Sequence, residues 1–195
     1  MTSKERFKEL FASQVTRPGA TDLLAWLETT DFYEAPASTR HHGAYPGGLV
    51  DHSLMVYDYL LINPPGAWYN QETRAICALL HDVCKTNYYV GDELHYSVKD
   101  RLPMGHGEKS VYLVMKHMDL TDEEALAIRW HMGAYDDAFK GGSHALGEAQ
   151  DRCALVLALH HADMLATQEE KRRAPARGTP HPYGGGAADG CAEGR

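Results

Sequence analysis

Histidine and aspartate stand side by side at His81-Asp82, closing an apolar run, with Lys85 a further three to four positions on. Adjacent helical side chains project about 100° apart, so the pair can ligate one metal together, or the aspartate can reach toward two. Lys85 falls on the same side of the turn as both. Two ligands and a cation at one helix end suit phosphate chemistry, with a metal as Lewis acid and an ammonium group against a phosphoryl oxygen. The same residues also make an ordinary surface ion-pair cluster, so other positions must decide.

Asp163 is the first of these. It follows the most apolar run of the chain, CALVLALHHA, and precedes Met164-Leu165-Ala166. Acids are rarely buried without a partner, and a buried aspartate seeks a cation or a metal. His160 lies one turn earlier on the same face. His52 repeats the pattern among Leu49, Val50, Leu54 and Met55. A lone core histidine is usually just hydrogen-bonded; three apolar helices each offering an inward His or Asp make a His/His/Asp/Asp set that suits Mn, Fe, Mg, Ni or Zn. His106, between two glycines at a helix start, and His131, ending AIRWHMG, extend the set. If both turn inward they hold a second divalent ion with Asp82 bridging, an arrangement that steadies both sides of a phosphoryl displacement.

The elements that must position these residues are nearly all helical. Residues 3–14 read as a short helix, and Thr21 or Asp22 caps a second one through Leu27. Pro36, Pro46 and several glycines make 31–48 a loop. Helices follow at 49–62 and 71–84, separated by Asn63-Pro64-Pro65-Gly66. Tyr88-Tyr89-Val90, then Gly91-Asp92, then Leu94, Tyr96 and Val98 alternate as a β-hairpin does, placing a small insertion near 86–99. Helices resume at 106–118 and 121–132, the latter with Thr121 and Glu124 as a capping box. DDAFKGGSHALG reads as a loop or broken helix, and 147–167 as a last, central helix. From 168 to 195 the chain is rich in Gly, Pro and Ala and poor in large apolar residues, so a disordered tail is expected after a single domain of 1–167.

Composition limits the partners. With 44% apolar and 24% charged residues in 195, the chain resembles an average globular domain. No stretch approaches the roughly 20 apolar residues of a membrane span, and the charged start MTSKERFKEL lacks the core of a secretory signal, so a cytoplasmic protein is expected. A net charge of −8 argues against an extended nucleic-acid surface, though not against local capture of a phosphate by metals and a few lysines. Four cysteines show no CxxC spacing; Cys77 and Cys84, on one helical face, read as small buried apolar residues, with a redox or zinc role as the alternative. Oligomeric state is not legible.

The ordered set His52…His81-Asp82…Asp163 resembles the HD superfamily of metal-dependent phosphohydrolases. HHGAYPGGLVDHSL, LLHDVCK, GHGEKS, IRWHMG and LHHADMLAT fall in that family's order between about residues 40 and 167. HHGAYPGGLVDHS and HHAD are similar in style to the HD domain of YhaM-type 3′–5′ exoribonucleases. Those enzymes carry an oligonucleotide-binding barrel ahead of the HD domain, whereas only about 40 residues precede the motifs here. The resemblance implies an all-α HD bundle with His52, His81, Asp82 and Asp163 on a first metal, and His106 and His131, with Asp82 shared, on a second. It implies Lys85 at the phosphate or leaving group, with His42, Tyr45 and Lys109 as substrate contacts. The single His131 departs from the histidine pair of several two-metal members. The implied activity is cleavage of a phosphomonoester or phosphodiester in a nucleotide or short oligonucleotide by metal-activated water. The alternatives are triphosphate release from a nucleoside triphosphate, a non-catalytic nucleotide-sensing module, and an oxygenase using di-iron.

Overall fold

Thr2 accepts from the Glu5 N–H while the Glu5 carboxylate accepts from Thr2, and this reciprocal cap starts α1, Ser3–Gln14. The computed structural model of the chain describes residues 1–39, 43–63, 65–92 and 95–173. Among these the architecture is α-helical, with one antiparallel hairpin. Helix α2, Ala20–Glu28, begins at Gly19 rather than at Thr21 or Asp22. Gly19 has φ 89°, and a Cβ there would fall 2.0 Å from the His117 carbonyl oxygen, so glycine lets this turn dock on the end of a later helix.

Helix α3 is Gly48–Ile62, and α4, capped by Asn70, is Gln71–Leu80. Helix α4 was expected to run to 84 but stops four residues earlier. Asp82 leaves helical geometry at φ −106°, ψ 15°, and a 3₁₀ turn follows over Val83–Lys85. There the Lys85 N–H turns to the Asp82 carbonyl and the Cys84 N–H to Ser110 Oγ. Strands β1, Tyr89–Asp92, and β2, His95–Val98, pair Tyr89 with Val98 and Asp92 with His95, within the expected hairpin region.

Helix α5, His106–Met115, ends three residues before its expected limit; α6, Asp122–Trp130, starts with the expected Thr121–Glu124 capping box. Inside DDAFKGGSHALG lies the short helix α7, Asp137–Lys140. The last segment is two helices, not one: α8, Ala145–Arg152, and α9, Ala154–Arg173, meet at Cys153, whose backbone is extended. Tyr69 enforces the break, since its hydroxyl accepts from the Leu155 N–H at 3.2 Å. Helix α9 also runs six residues beyond the domain limit of 167. Thr167 and Glu170 are buried, and Glu169 pairs with Arg172 and Arg173 one turn on. Composition suggested a tail from 168; inward-facing contacts and helical ion pairs decide otherwise up to 173. Residues 174–195 lie outside the described residues.

Helix α9 packs against α3 and α6, α3 against α4, and α6 against α5. The core between them holds Leu49, Val56, Leu60, Ile76, Leu79, Leu80, Ile128, Leu155 and Leu159. Helices α1 and α2 close one side with Phe7, Phe11, Leu23, Leu27 and Phe32. No helix among the described residues is long and apolar enough to cross a membrane.

One buried ion pair joins three parts of this frame. Arg17, after α1, sends a two-pronged guanidinium to Glu124 of α6 at 2.6 and 2.9 Å and also reaches Glu72 of α4. The Glu124 side chain is fully buried. Arg17→Met leaves that carboxylate without its cation, and urea unfolding should show a loss of about 3–5 kcal/mol.

Candidate metal centre

Two histidines reach the centre by the same local device. His81 caps the C-terminus of α4 and His131 that of α6. Helix ends leave carbonyls unsatisfied. His81 Nδ1 donates to the Ala78 carbonyl at 2.8 Å, and His131 Nδ1 to the Ile128 carbonyl at 2.7 Å. A carbonyl only accepts, so Nδ1 of each ring carries a proton and Nε2 is the nitrogen left facing inward. Both Nε2 atoms are buried and lack a hydrogen-bond partner among the described residues.

His52 is set on α3, fully buried, with Nδ1 at 3.2 Å from both oxygens of Glu170 on α9. Its Nε2 faces Asp163 Oδ1 at 3.1 Å. Burial alone would favour neutral imidazole, but Asp163 and Glu170 outweigh it and push His52 up to about 10. Asp163 is held well below the usual carboxylate range, because His52 outweighs burial.

Asp82 is the residue all the others face. One oxygen, Oδ2, lies 3.5 Å from His81 Nε2, 3.8 Å from His52 Nε2 and 2.6 Å from Lys85 Nζ. The other, Oδ1, lies 2.6 Å from His106 Nε2 and 3.4 Å from His131 Nε2. Burial would raise its pKa, yet Lys85, His81 and His106 hold it well below the ordinary value. Lys85 is held above its usual range because Asp82 outweighs burial. His106 rises to about 10, with burial overcome by Cys84 and Asp82. Burial pushes His131 down. A neutral His131 then aims a lone pair at a carboxylate oxygen, an arrangement that a cation between them would relieve.

Among the described residues three donor sets can hold a metal ion: His52, His81 and Asp163; His81, Asp82 and His131; and Asp82, Cys84 and His106. Within each set the donor atoms lie within 4.8 Å of one another. All six expected metal ligands are therefore drawn to one place. His106, however, groups with Cys84, while His131 groups with His81. The inward Nε2 atoms of His81 and His131 beside two carboxylates are a donor set that fits a divalent ion.

A cavity of about 360 Å³ adjoins the Asp82–His106 side, lined by Lys85, Tyr88, His106, Lys109, Tyr135 and Lys140 among others. Lys109 is buried, bonded to Asp100 at 2.5 Å, with its ammonium 4.8 Å from the Tyr88 ring centre. Tyr45 is not in this lining; its hydroxyl donates to Asp51 at 2.7 Å, fixing the loop to the first turn of α3 just before His52. His42 lies outside the described residues.

Three residues join the site that sequence reasoning left aside or placed only loosely. Glu170 orients His52; it lies seven after Asp163, two turns along the same face, a signal hidden by the expected tail boundary at 168. Cys84 touches the His106 ring at 3.4 Å. His160 Nδ1 donates to the His131 carbonyl at 2.7 Å, and Gly133, where a Cβ would fall 2.7 Å from that ring, leaves it room.

Glu170→Ala should weaken Mn(II) or Co(II) binding by about 10- to 100-fold in calorimetry, without loss of the helical circular dichroism. His52 must shed a proton to ligate, so metal binding should release protons near neutrality and tighten as pH rises. Comparisons with protein-family models, with curated proteins and with solved structures found no match. The residues themselves thus carry the assignment: a helical protein with a buried His/Asp cluster that can hold a metal ion, compatible with an HD-like site.

Proposed function

We propose that this chain is a metal-dependent phosphohydrolase of the HD superfamily, cleaving a phosphomonoester or phosphodiester bond of a nucleotide or short oligonucleotide. The observation that carries the reading is the division of the Asp82 carboxylate. Its two oxygens face different histidines, as a carboxylate shared between two divalent ions would. A bound divalent ion supplies Lewis acidity and lowers the pKa of water.

The protein's own groups supply the rest. Lys85 Nζ, on Asp82 Oδ2 and lining the cavity, stands where a phosphoryl oxygen beside the metal centre would take a charge-assisted hydrogen bond. Lys109 and Lys140 line the same cavity, each held by an acid of that lining, Asp100 and Asp137. Tyr135, exposed at the cavity, offers a ring face of the kind on which nucleobases stack. A cavity of about 360 Å³ suits one nucleotide or the end of a short strand better than a long duplex.

The test is a panel of nucleotides, dinucleotides and short oligonucleotides assayed with Mn(II), Mg(II), Ni(II) and Zn(II). Turnover should need metal, and Asp82→Ala should lower kcat/KM by about 10³-fold or more, roughly 4 kcal/mol of transition-state stabilisation. Inorganic phosphate or nucleoside monophosphate as product supports the reading; triphosphate as product points to a triphosphohydrolase instead. Nucleotide binding with no turnover of any phosphoester, by folded and metal-loaded protein, would sink it in favour of a sensing module.

A further inference from the structure

Cys84 stands at the metal centre without a part in the reading above. Its sulfur lies 3.4 Å from both ring nitrogens of His106, and His106 Nε2 lies 2.6 Å from Asp82 Oδ1. The three residues each present a donor atom within 4.8 Å of the others. Cys84 is buried, yet its residue borders the cavity rather than the apolar core between the helices. Packing alone has no need of sulfur against an imidazole and next to a carboxylate; alanine would fill that corner without a polarisable donor.

Two measures of the geometry point to a cation. Sulfur and nitrogen on one tetrahedral zinc, at bond lengths of about 2.3 and 2.1 Å, stand about 3.6 Å apart, close to the separation found. Independently, His131 Nε2, on a fully buried side chain, has no hydrogen-bond partner among the described residues and lies 3.4 Å from the same Asp82 oxygen. That oxygen therefore has two imidazole nitrogens close by, of His106 at 2.6 Å and of His131 at 3.4 Å, and the His106 ring carries the Cys84 contact.

We propose that Cys84 is a thiolate ligand of the second metal ion, together with Asp82 and His106. The inference rests on the metal reading of the site but not on any phosphoester activity. On loading, the Cys84 thiol and the Nε2 position of His106 each give up a proton to solvent, and the vacated lone pairs bind the ion. A sulfur ligand biases the second position toward Zn(II), Fe(II) or Co(II) and away from Mg(II) and Mn(II). The first position, built from imidazole and carboxylate alone, keeps the broader choice.

Metal-free full-length protein titrated with Co(II) tests this. The second equivalent should bring a near-ultraviolet sulfur-to-cobalt charge-transfer band. Cys84→Ser should lose that band and hold the second ion about tenfold or more weakly, while Cys191→Ser keeps both. X-ray absorption on the zinc-loaded, unsubstituted protein needs no variant and should find a sulfur scatterer at about 2.3 Å beside nitrogen and oxygen at about 2.0–2.1 Å. Two ions bound with only nitrogen and oxygen scatterers, uptake of a single ion, or a band that persists in Cys84→Ser would each overturn the proposal. A charge-transfer band in protein that hydrolyses no phosphoester would uphold Cys84 as ligand and count against the phosphohydrolase reading alone.

Discussion

A carboxylate buried among imidazoles is the constraint around which this protein is organised. Asp82 is 2% exposed, and an ionised carboxylate taken that far from water is costly unless charges and hydrogen bonds replace the water. Lys85, His52, His81, His106 and His131 all stand within 4 Å of one or other of its oxygens. They come from α3, the turn after α4, the start of α5 and the end of α6. Assembling them demands that four chain segments arrive together, so the site and the bundle have the same requirement. Asp163 and Glu170 on α9 repeat the logic on His52, with a carboxylate at each ring nitrogen.

Helix termini do much of the positioning. Inside a helix the backbone carbonyls are already paired, but at its end they are in want of donors. By capping α4 and α6, His81 and His131 satisfy one of those carbonyls and in the same act fix the ring so that the remaining nitrogen looks inward. Directly after His81, Asp82 opens the 3₁₀ turn that carries Lys85, and the Lys85 ammonium donates to its carboxylate at 2.6 Å. His106 arrives from the opposite kind of terminus, the first turn of α5, where Gly107 permits the Arg129 backbone to approach, since a Cβ there would fall 2.0 Å from the Arg129 carbonyl oxygen. The hairpin contributes from outside. Tyr88 lies under Lys109, and the Tyr89 hydroxyl donates to the Ala37 carbonyl, tying the insertion to the loop before α3.

The charge distribution follows from the same arrangement. Three lysines line one cavity of this chain of net charge −8, and each is matched by an acid: Lys109 by Asp100, Lys85 by Asp82 and Lys140 by Asp137. Such pairs keep the lysines oriented while leaving donors for an incoming anion. Positive charge at the candidate metal site is therefore local, carried by Lys85 on Asp82, rather than a field spread over the surface.

Much of this was legible from residue types alone. Apolar periodicity, the capping box at Thr121, and the alternation after Tyr88 define a helical domain with a hairpin, because these signals are local and the backbone obeys them locally. His52 and Asp163 stood out as polar groups in apolar surroundings and His81-Asp82 as an adjacent pair closing an apolar run, whereas His106 and His131 were ambiguous until the fold turned them inward. What the tertiary structure alone decided were the places where a distant group overrules a local preference. Tyr69 splits the last helix at Cys153, and Ser110 takes the Cys84 N–H where α4 has given way to its 3₁₀ turn. His52 draws Glu170 into the core beyond the point where composition suggests a tail. Proximity between Cys84 and His106, and the division of the Asp82 oxygens between two sets of histidines, belong to this second kind. They are distances between segments far apart along the chain, and no spacing within a segment encodes them.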